Sequence, residues 1–281
     1  MPTDRELDRC AGVLVGLAAG DALGAADELG PPPSGDVSMK GGGLGGWKPG
    51  EWTDDTQMAI CIAEETATGT VSPVAVAARF LEWYRSGPAD IGSQTDWVLS
   101  HSANADDMAA RAADYFRSHP DASAGNGSLM RTAPLALAGL GDDERLVGLA
   151  TTVSALTHAD PVAGEACALW CVAIDRAIRH ESLYGVRGGI EFLPADRRSY
   201  WEDRLEEARL GPAVPLLPQR VRRHCVPSIP GGDLAHADPT DGDLVWTSKG
   251  QYAPGSTDAT QVSTSYDLYS GQSVTVAGDE L

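Results

Sequence analysis

Residues Asp160–His180, DPVAGEACALWCVAIDRAIRH, decide how the rest of the chain is read. An aspartate stands where a helix N-cap belongs, and Pro161 takes the first helical position, where its missing N–H costs nothing. A long apolar stripe at helical spacing follows. The stretch is therefore a helix with a buried face, and the same features recur on either side of it. Upstream, LMRTAPLALAGL and DERLVGLATTVSAL are rich in alanine and leucine. Residues 106–117 read as an amphipathic helix, and residues 73–84 as a helix with Pro73 in its first turn. Another helix is expected over residues 54–68. At the start of the chain, Thr3 and Glu6 form a capping box, with Leu7, Ala11, Leu14 and Ala18 at helical spacing behind it.

That first helix is expected to span residues 3–19 and to stop at AAGDALGAADELGPPPSGD, where Gly, Asp and three prolines break the period. Gly12 and Gly16 in its interior lower helix propensity and predict the close approach of a neighbouring helix. Strand alternation is scarce before residue 220, so residues 1–210 are expected to form an all-α domain. Residues 211–281 are different. They are rich in Pro and Gly and then in Val, Thr, Ser and Tyr, a composition suited to loops and short strands in a C-terminal appendage.

The bulk numbers exclude several classes. The chain has 281 residues, 40 Asp and Glu against 21 Lys and Arg, and a formal net charge of −19. Nucleic-acid binding through a basic surface has no basis in such a composition. Five scattered cysteines, Cys10, Cys61, Cys167, Cys171 and Cys225, do not form a disulfide framework. Cys167 and Cys171 read as core residues, since nothing completes a metal set around them. No basic leader or apolar run of membrane-spanning length is present, so a cytoplasmic protein without a membrane partner is expected.

Three stretches bear on chemistry. In GEWTDDTQMAI, residues 50–60, Thr53 caps a helix beginning at Asp54, and its hydroxyl stands beside the carboxylates of Asp54 and Asp55. Oxygen donors crowded at one helix start suit Mg2+ or Mn2+; a metal-free helix favours the same residues as cap and dipole partners. In SAGNGSLMRTAPL, Gly125, Asn126, Gly127 and Ser128 precede a helical run, so that backbone N–H groups are available to an anion such as a pyrophosphate. A plain Gly-Asn turn reads the same way. His158, in LTHADP, either meets a ligand or satisfies loop carbonyls.

Taken together, GLAAGDALGAADE, WTDDTQM, GNGSLMRTAPLAL and THADPVAGEA, in this order and at these separations, resemble the ADP-ribosylglycohydrolase family over residues 4–180, and more loosely to about 210. The resemblance implies a compact, orthogonal multi-helix all-α fold with a pair of Mg2+ or Mn2+ ions in a cleft for ADP-ribose. By position, Thr53, Asp54 and Asp55 match the family's first metal motif, and Glu28 matches a glutamate given acid/base work. Gly125, Asn126, Gly127, Ser128, Leu129 and Met130 match a loop cradling the diphosphate, with His158 on the rim of the ribose or diphosphate site. The implied activity is metal-dependent hydrolysis of the glycosidic bond between ADP-ribose and an acceptor, arginine on a protein first among them. The implied partner is an ADP-ribosylated protein or a small ADP-ribosyl conjugate.

One family feature is missing. The second acidic motif, Asp-x-Asp-Thr ahead of an apolar helix, has no counterpart here; DPTDGD at 238–243 and STDAT at 256–260 come nearest. Asp238, Asp241 or Asp258 would have to substitute. The alternative is a catalytically weak or inactive relative that binds ADP-ribose.

Overall fold

The computed structural model describes residues 2–28, 38–43, 45–182 and 185–210, together with four short strands beyond them. Among the described residues ten α-helices follow one another: α1 (Asp4–Gly24), α2 (Asp54–Thr66), α3 (Pro73–Arg85), α4 (Ser93–His101), α5 (Met108–Ser118), α6 (Ala133–Ala138), α7 (Asp143–Ser154), α8 (Pro161–His180), α9 (Gly185–Gly189) and α10 (Ala195–Leu210). The all-α expectation holds for this region. Two antiparallel strand pairs are described after it, His236–Ala237 with Leu244–Val245 and Gln261–Ser263 with Thr275–Ala277.

The deciding stretch folds as its sequence dictates. The Asp160 carboxylate accepts a hydrogen bond from the Val162 amide at 2.9 Å, Pro161 opens the helix, and Glu181 ends it in a left-handed conformation. Helix α8 then packs against α7, α9, α6 and α1 and so forms the centre of the molecule. Its Cys167 and Cys171 are fully buried core residues, as expected. Helix α10 is fastened to it by Glu165, which receives three bonds from the Arg197 guanidinium, at 2.8, 2.9 and 3.1 Å, and one from the Trp201 indole at 2.7 Å. The other caps are local. Ser72 accepts from Ala75 ahead of Pro73, Asp142 accepts from Arg145, and Thr3 and Glu6 form the reciprocal box.

Helix α1 departs from expectation in two ways. It continues through Gly20 and Asp21 to Gly24, five residues past the expected stop at Ala19. Tertiary burial overrides weak propensity, because Gly20, Asp21, Ala22 and Gly24 are all buried. Gly12, by contrast, is exposed, and a Cβ there would meet nothing within 4 Å, so no helix approaches it closely; Gly16 is the buried one of the pair. Helix α4 was not anticipated, and residues 105–107 form a 3-10 turn before α5. Among the described residues no helix is long and apolar enough to cross a membrane.

Candidate functional site

The N-terminus of α2 is capped twice. The Thr53 hydroxyl accepts weakly from the Asp55 amide at 3.4 Å. The stronger cap comes from α1. The Asp21 carboxylate accepts from the Thr53 amide at 2.9 Å, the Thr53 hydroxyl at 2.8 Å, the Thr56 amide at 3.0 Å and the Thr56 hydroxyl at 2.6 Å. Asp21 is buried, which pushes its carboxyl upward, while the bonds from both threonines oppose that shift. The sequence reading missed Asp21 because it ended the helix too early. The signal was available: Asp21 lies four residues after Leu17 and eight after Val13, on the buried stripe of α1, where a charge needs a purpose.

Asp54 is buried beside this cap. Its carboxyl is pushed up to about 7, first by burial, then by Asp90 and Asp21, with the Gly92 amide opposing. Asp90, in the loop before α4, was also missed, and nothing in its local sequence marks it. Asp55 is half-buried, with a carboxylate oxygen 3.4 Å from the Thr53 hydroxyl. The oxygen donors at this helix start fit a hard cation in kind, and a cation would relieve the carboxylate crowding that, after burial, raises Asp54. Among the described residues, however, no three His, Cys, Asp or Glu side chains are gathered into a metal-holding group. Asp238, Asp241 and Asp258 lie outside the described residues. Glu28 is half-buried in the turn after α1, the last residue described before Ser38.

The second half of the site is the turn from Gly125. Residues Asn126–Ser128 form a 3-10 turn in which the Asn126 carbonyl accepts from the amides of Leu129 at 2.8 Å and Met130 at 3.1 Å. The side chain of Asn126 is 8% exposed, and neither its Oδ1 nor its Nδ2 has a partner. Each buried polar group left so costs about 1–3 kcal/mol, which makes an orphaned amide a pointer to something that binds there. Other residues of the stretch are turned inward. The Ser128 hydroxyl accepts from Ser154 at 2.9 Å and from the Cys167 thiol at 3.5 Å, and the side chains of Leu129 and Met130 lie in the core. From them only backbone is available to a ligand.

His158 lies beneath the turn rather than on an open rim, 2% exposed. A Cβ on Gly127 would come within 2.9 Å of its Cε1 and 3.1 Å of its Nε2, so the turn approaches the imidazole as only glycine allows. Burial and the charge of Arg131 hold the imidazole down to about 3. Arg131 is itself almost fully buried. It donates to the Thr157 hydroxyl at 2.6 Å and to the Met58 sulfur at 3.3 Å, and its guanidinium stands 4.3 Å from the centre of the Phe80 ring. Burial lowers it only to about 10, so it stays charged at neutral pH. No carboxylate among the described residues pairs with it. Met58, one helical turn below Asp54, thus links the acidic end of α2 to the glycine turn. A groove of about 490 Å³ between the start of α3, α5 and the end of α7 contains none of these residues.

The all-α frame carries two buried polar clusters, one acidic at a helix start and one a glycine turn around an unpaired asparagine. Residues 1–242 match the model of the family described as ADP-ribosylglycohydrolase, and the chain belongs to that family. It is 32% identical over 170 residues to an ADP-ribosylarginine hydrolase Tri1 of Serratia proteamaculans, covering 59% of this chain and 46% of that protein. It is 32% identical over 190 residues to the ADP-ribosyl-[dinitrogen reductase] glycohydrolase of Rhodospirillum rubrum, covering 64% and 60%. A solved structure titled ADP-ribosylglycohydrolase-related protein complex aligns with a TM-score of 0.54 and 32% identity over 71% of this chain and 68% of its own. The chain spans about half the length of the curated relatives it matches.

Proposed function

We propose that the protein is a divalent-metal-dependent hydrolase that cleaves the glycosidic bond between ADP-ribose and an acceptor, with ADP-ribosylated arginine on a protein as the substrate class. The observation that carries this reading is Asn126, a nearly buried amide with no partner in a glycine turn that the acidic end of α2 adjoins through Met58 and Arg131. The names of the Serratia and Rhodospirillum relatives supply the substrate class.

In this reading Asn126 and the backbone of the turn hold the diphosphate and its neighbouring ribose, and Gly127 lets the turn sit close against His158. Thr53, Asp54 and Asp55 would hold Mg2+ or Mn2+, which supplies polarisation of a water and of the ribose hydroxyls. Water forms the new bond to the anomeric carbon, the bond to the acceptor nitrogen breaks, and the proton released from water ends on the departing acceptor. Positive charge develops on the ribose ring, and the carboxylates of Asp54 and Asp55 stabilise it. Glu28 is assigned the proton transfer by its position in the family pattern.

A second reading is favoured by one observation: among the described residues the acidic cluster does not reach three metal-holding groups. The protein would then bind ADP-ribose and turn it over poorly. Release of free ADP-ribose from an arginine-ADP-ribosylated protein, followed by mass spectrometry with Mg2+ and with EDTA, tests both. Metal-dependent release is expected. Absence of release under either condition, from folded protein that still binds ADP-ribose, overturns the hydrolase reading in favour of the binding one.

A further inference from the structure

Arg131 is an anomaly of this fold: a permanently charged group, 1% exposed, with no carboxylate beside it among the described residues and a guanidinium Nε that lacks a partner. Buried arginines are ordinarily paired, and even the half-buried Arg197 is paired with Glu165. What Arg131 does touch is informative. An Arg N–H can only donate, so the Thr157 hydroxyl oxygen, 2.6 Å from Nη2, is an acceptor in that contact. The same oxygen lies 2.8 Å from Nδ1 of His158. A hydroxyl oxygen can accept twice, but an Nδ1–H donated to it would leave the hydroxyl proton of the fully buried Thr157 without an acceptor among the described residues, whereas a bare Nδ1 accepts that proton. The proton of the neutral imidazole falls on Nε2. That nitrogen faces the glycine turn, 3.1 Å from where a Cβ of Gly127 would stand and 3.5 Å from that of Gly125. The backbone of Thr157 is held as well, its carbonyl accepting from the Gln94 amide at 3.0 Å.

We infer that Arg131 and Thr157 are positioning residues that lock His158 as the Nε2–H tautomer, so that a neutral donor, never a lone pair, supports the turn carrying Asn126 when ADP-ribose binds. The opposite tautomer would turn a lone pair toward the glycine turn and the anionic ligand above it. The inference rests on the ADP-ribose reading for its ligand and on the relay geometry for its tautomer, and the two are tested separately.

The test is nitrogen NMR on histidine-labelled full-length protein, paired with calorimetric titration of ADP-ribose, for the wild type and for Thr157→Val and Thr157→Ser. The wild type is expected to show His158 protonated at Nε2 alone. Thr157→Val removes the hydroxyl at nearly constant volume and is expected to mix the tautomers and weaken ADP-ribose about tenfold to a hundredfold. Thr157→Ser is expected to restore both. A wild-type ring protonated at Nδ1 overturns the relay, and that spectrum alone decides the tautomer should Thr157→Val fail to fold. A tautomer that is insensitive to Thr157→Val, or one that shifts with no change in affinity, also overturns the proposal. A wild type with the expected tautomer that fails to bind ADP-ribose overturns the ligand reading instead.

Discussion

Asp21, in the last turn of α1, and Asn126, at the start of a 3-10 turn, are both nearly buried polar side chains, and they are treated in opposite ways. The Asp21 carboxylate is saturated by two amides and two hydroxyls from Thr53 and Thr56. The Asn126 amide has no partner at either end. Burial without partners is costly, so the first cluster is organised for stability, and the second carries a penalty that a bound water or ligand removes. Within one candidate site, the polar side chains are satisfied where they hold the helix and unsatisfied in the glycine turn.

The largest effect that tests this contrast is Asp21→Ala. It strands the buried amides of Thr53 and Thr56, and a loss of about 3 kcal/mol is expected in urea unfolding. A loss below about 1 kcal/mol would mean that water or neighbouring groups take over the cap. Asn126→Ala should do the reverse. Its thermal midpoint is expected to hold or rise, because two orphaned atoms disappear, while ADP-ribose binding weakens about thirtyfold, equivalent to ~2 kcal/mol. Destabilisation without loss of affinity would place Asn126 with Asp21 and end the contrast.

A third test concerns pH. The His158 imidazole is depressed to about 3 in the folded state against about 6.5 unfolded, so between those values the unfolded chain binds more protons and acid favours unfolding. The stabilising effect of the neutral ring is complete above pH 6.5 and is lost as pH falls toward 3. Relative to His158→Gln, the wild type should lose ~1.4 kcal/mol per pH unit below that point, read from denaturant curves at several pH values. Parallel curves would mean that the ring accepts a proton in place. The smallest effect is expected at Gly12→Ala on the exposed face of α1, where a Cβ meets nothing and a gain of about 0.5–1 kcal/mol follows from helix propensity alone. Made together with Asp21→Ala, it should add independently and provide a folded background in which the cap can be measured.

The all-α fold was legible in the sequence because caps and prolines act locally. Asp160 with Pro161, Ser72 with Pro73, and Thr3 with Glu6 each mark their helix with no help from distant residues. Thr53, Asp54 and Asn126 were legible for a similar reason, since each stands in a short contiguous pattern. What stayed hidden depends on partners far along the chain. Asp21 read as the end of a helix, yet its role is set by threonines 32 and 35 residues away. Arg131 read as part of an alanine-rich helix, and Thr157 as a neighbour of the histidine. Their contact across 26 residues, and the approach of Asp90 to Asp54, exist only once the helices flanking each of these residues have packed. For Leu129, Met130 and Ser128 the pattern located the turn but not the direction in which each side chain faces.

Arg9, on the first turns of α1, donates to the Ile178 carbonyl at 2.5 Å and to Glu181, contacts that span 169 and 172 residues. The far end of the same helix is held by Thr53 and Thr56, much closer in sequence. During synthesis on the ribosome, the two ends of α1 therefore find their partners at different times. The Asp21 cap can close once α2 has emerged, whereas the Arg9 clasp must wait until the last turn of α8 is free of the exit tunnel. At roughly 5–20 residues per second, that interval is on the order of ten seconds, during which the opening turns of the chain remain accessible to chaperones and proteases.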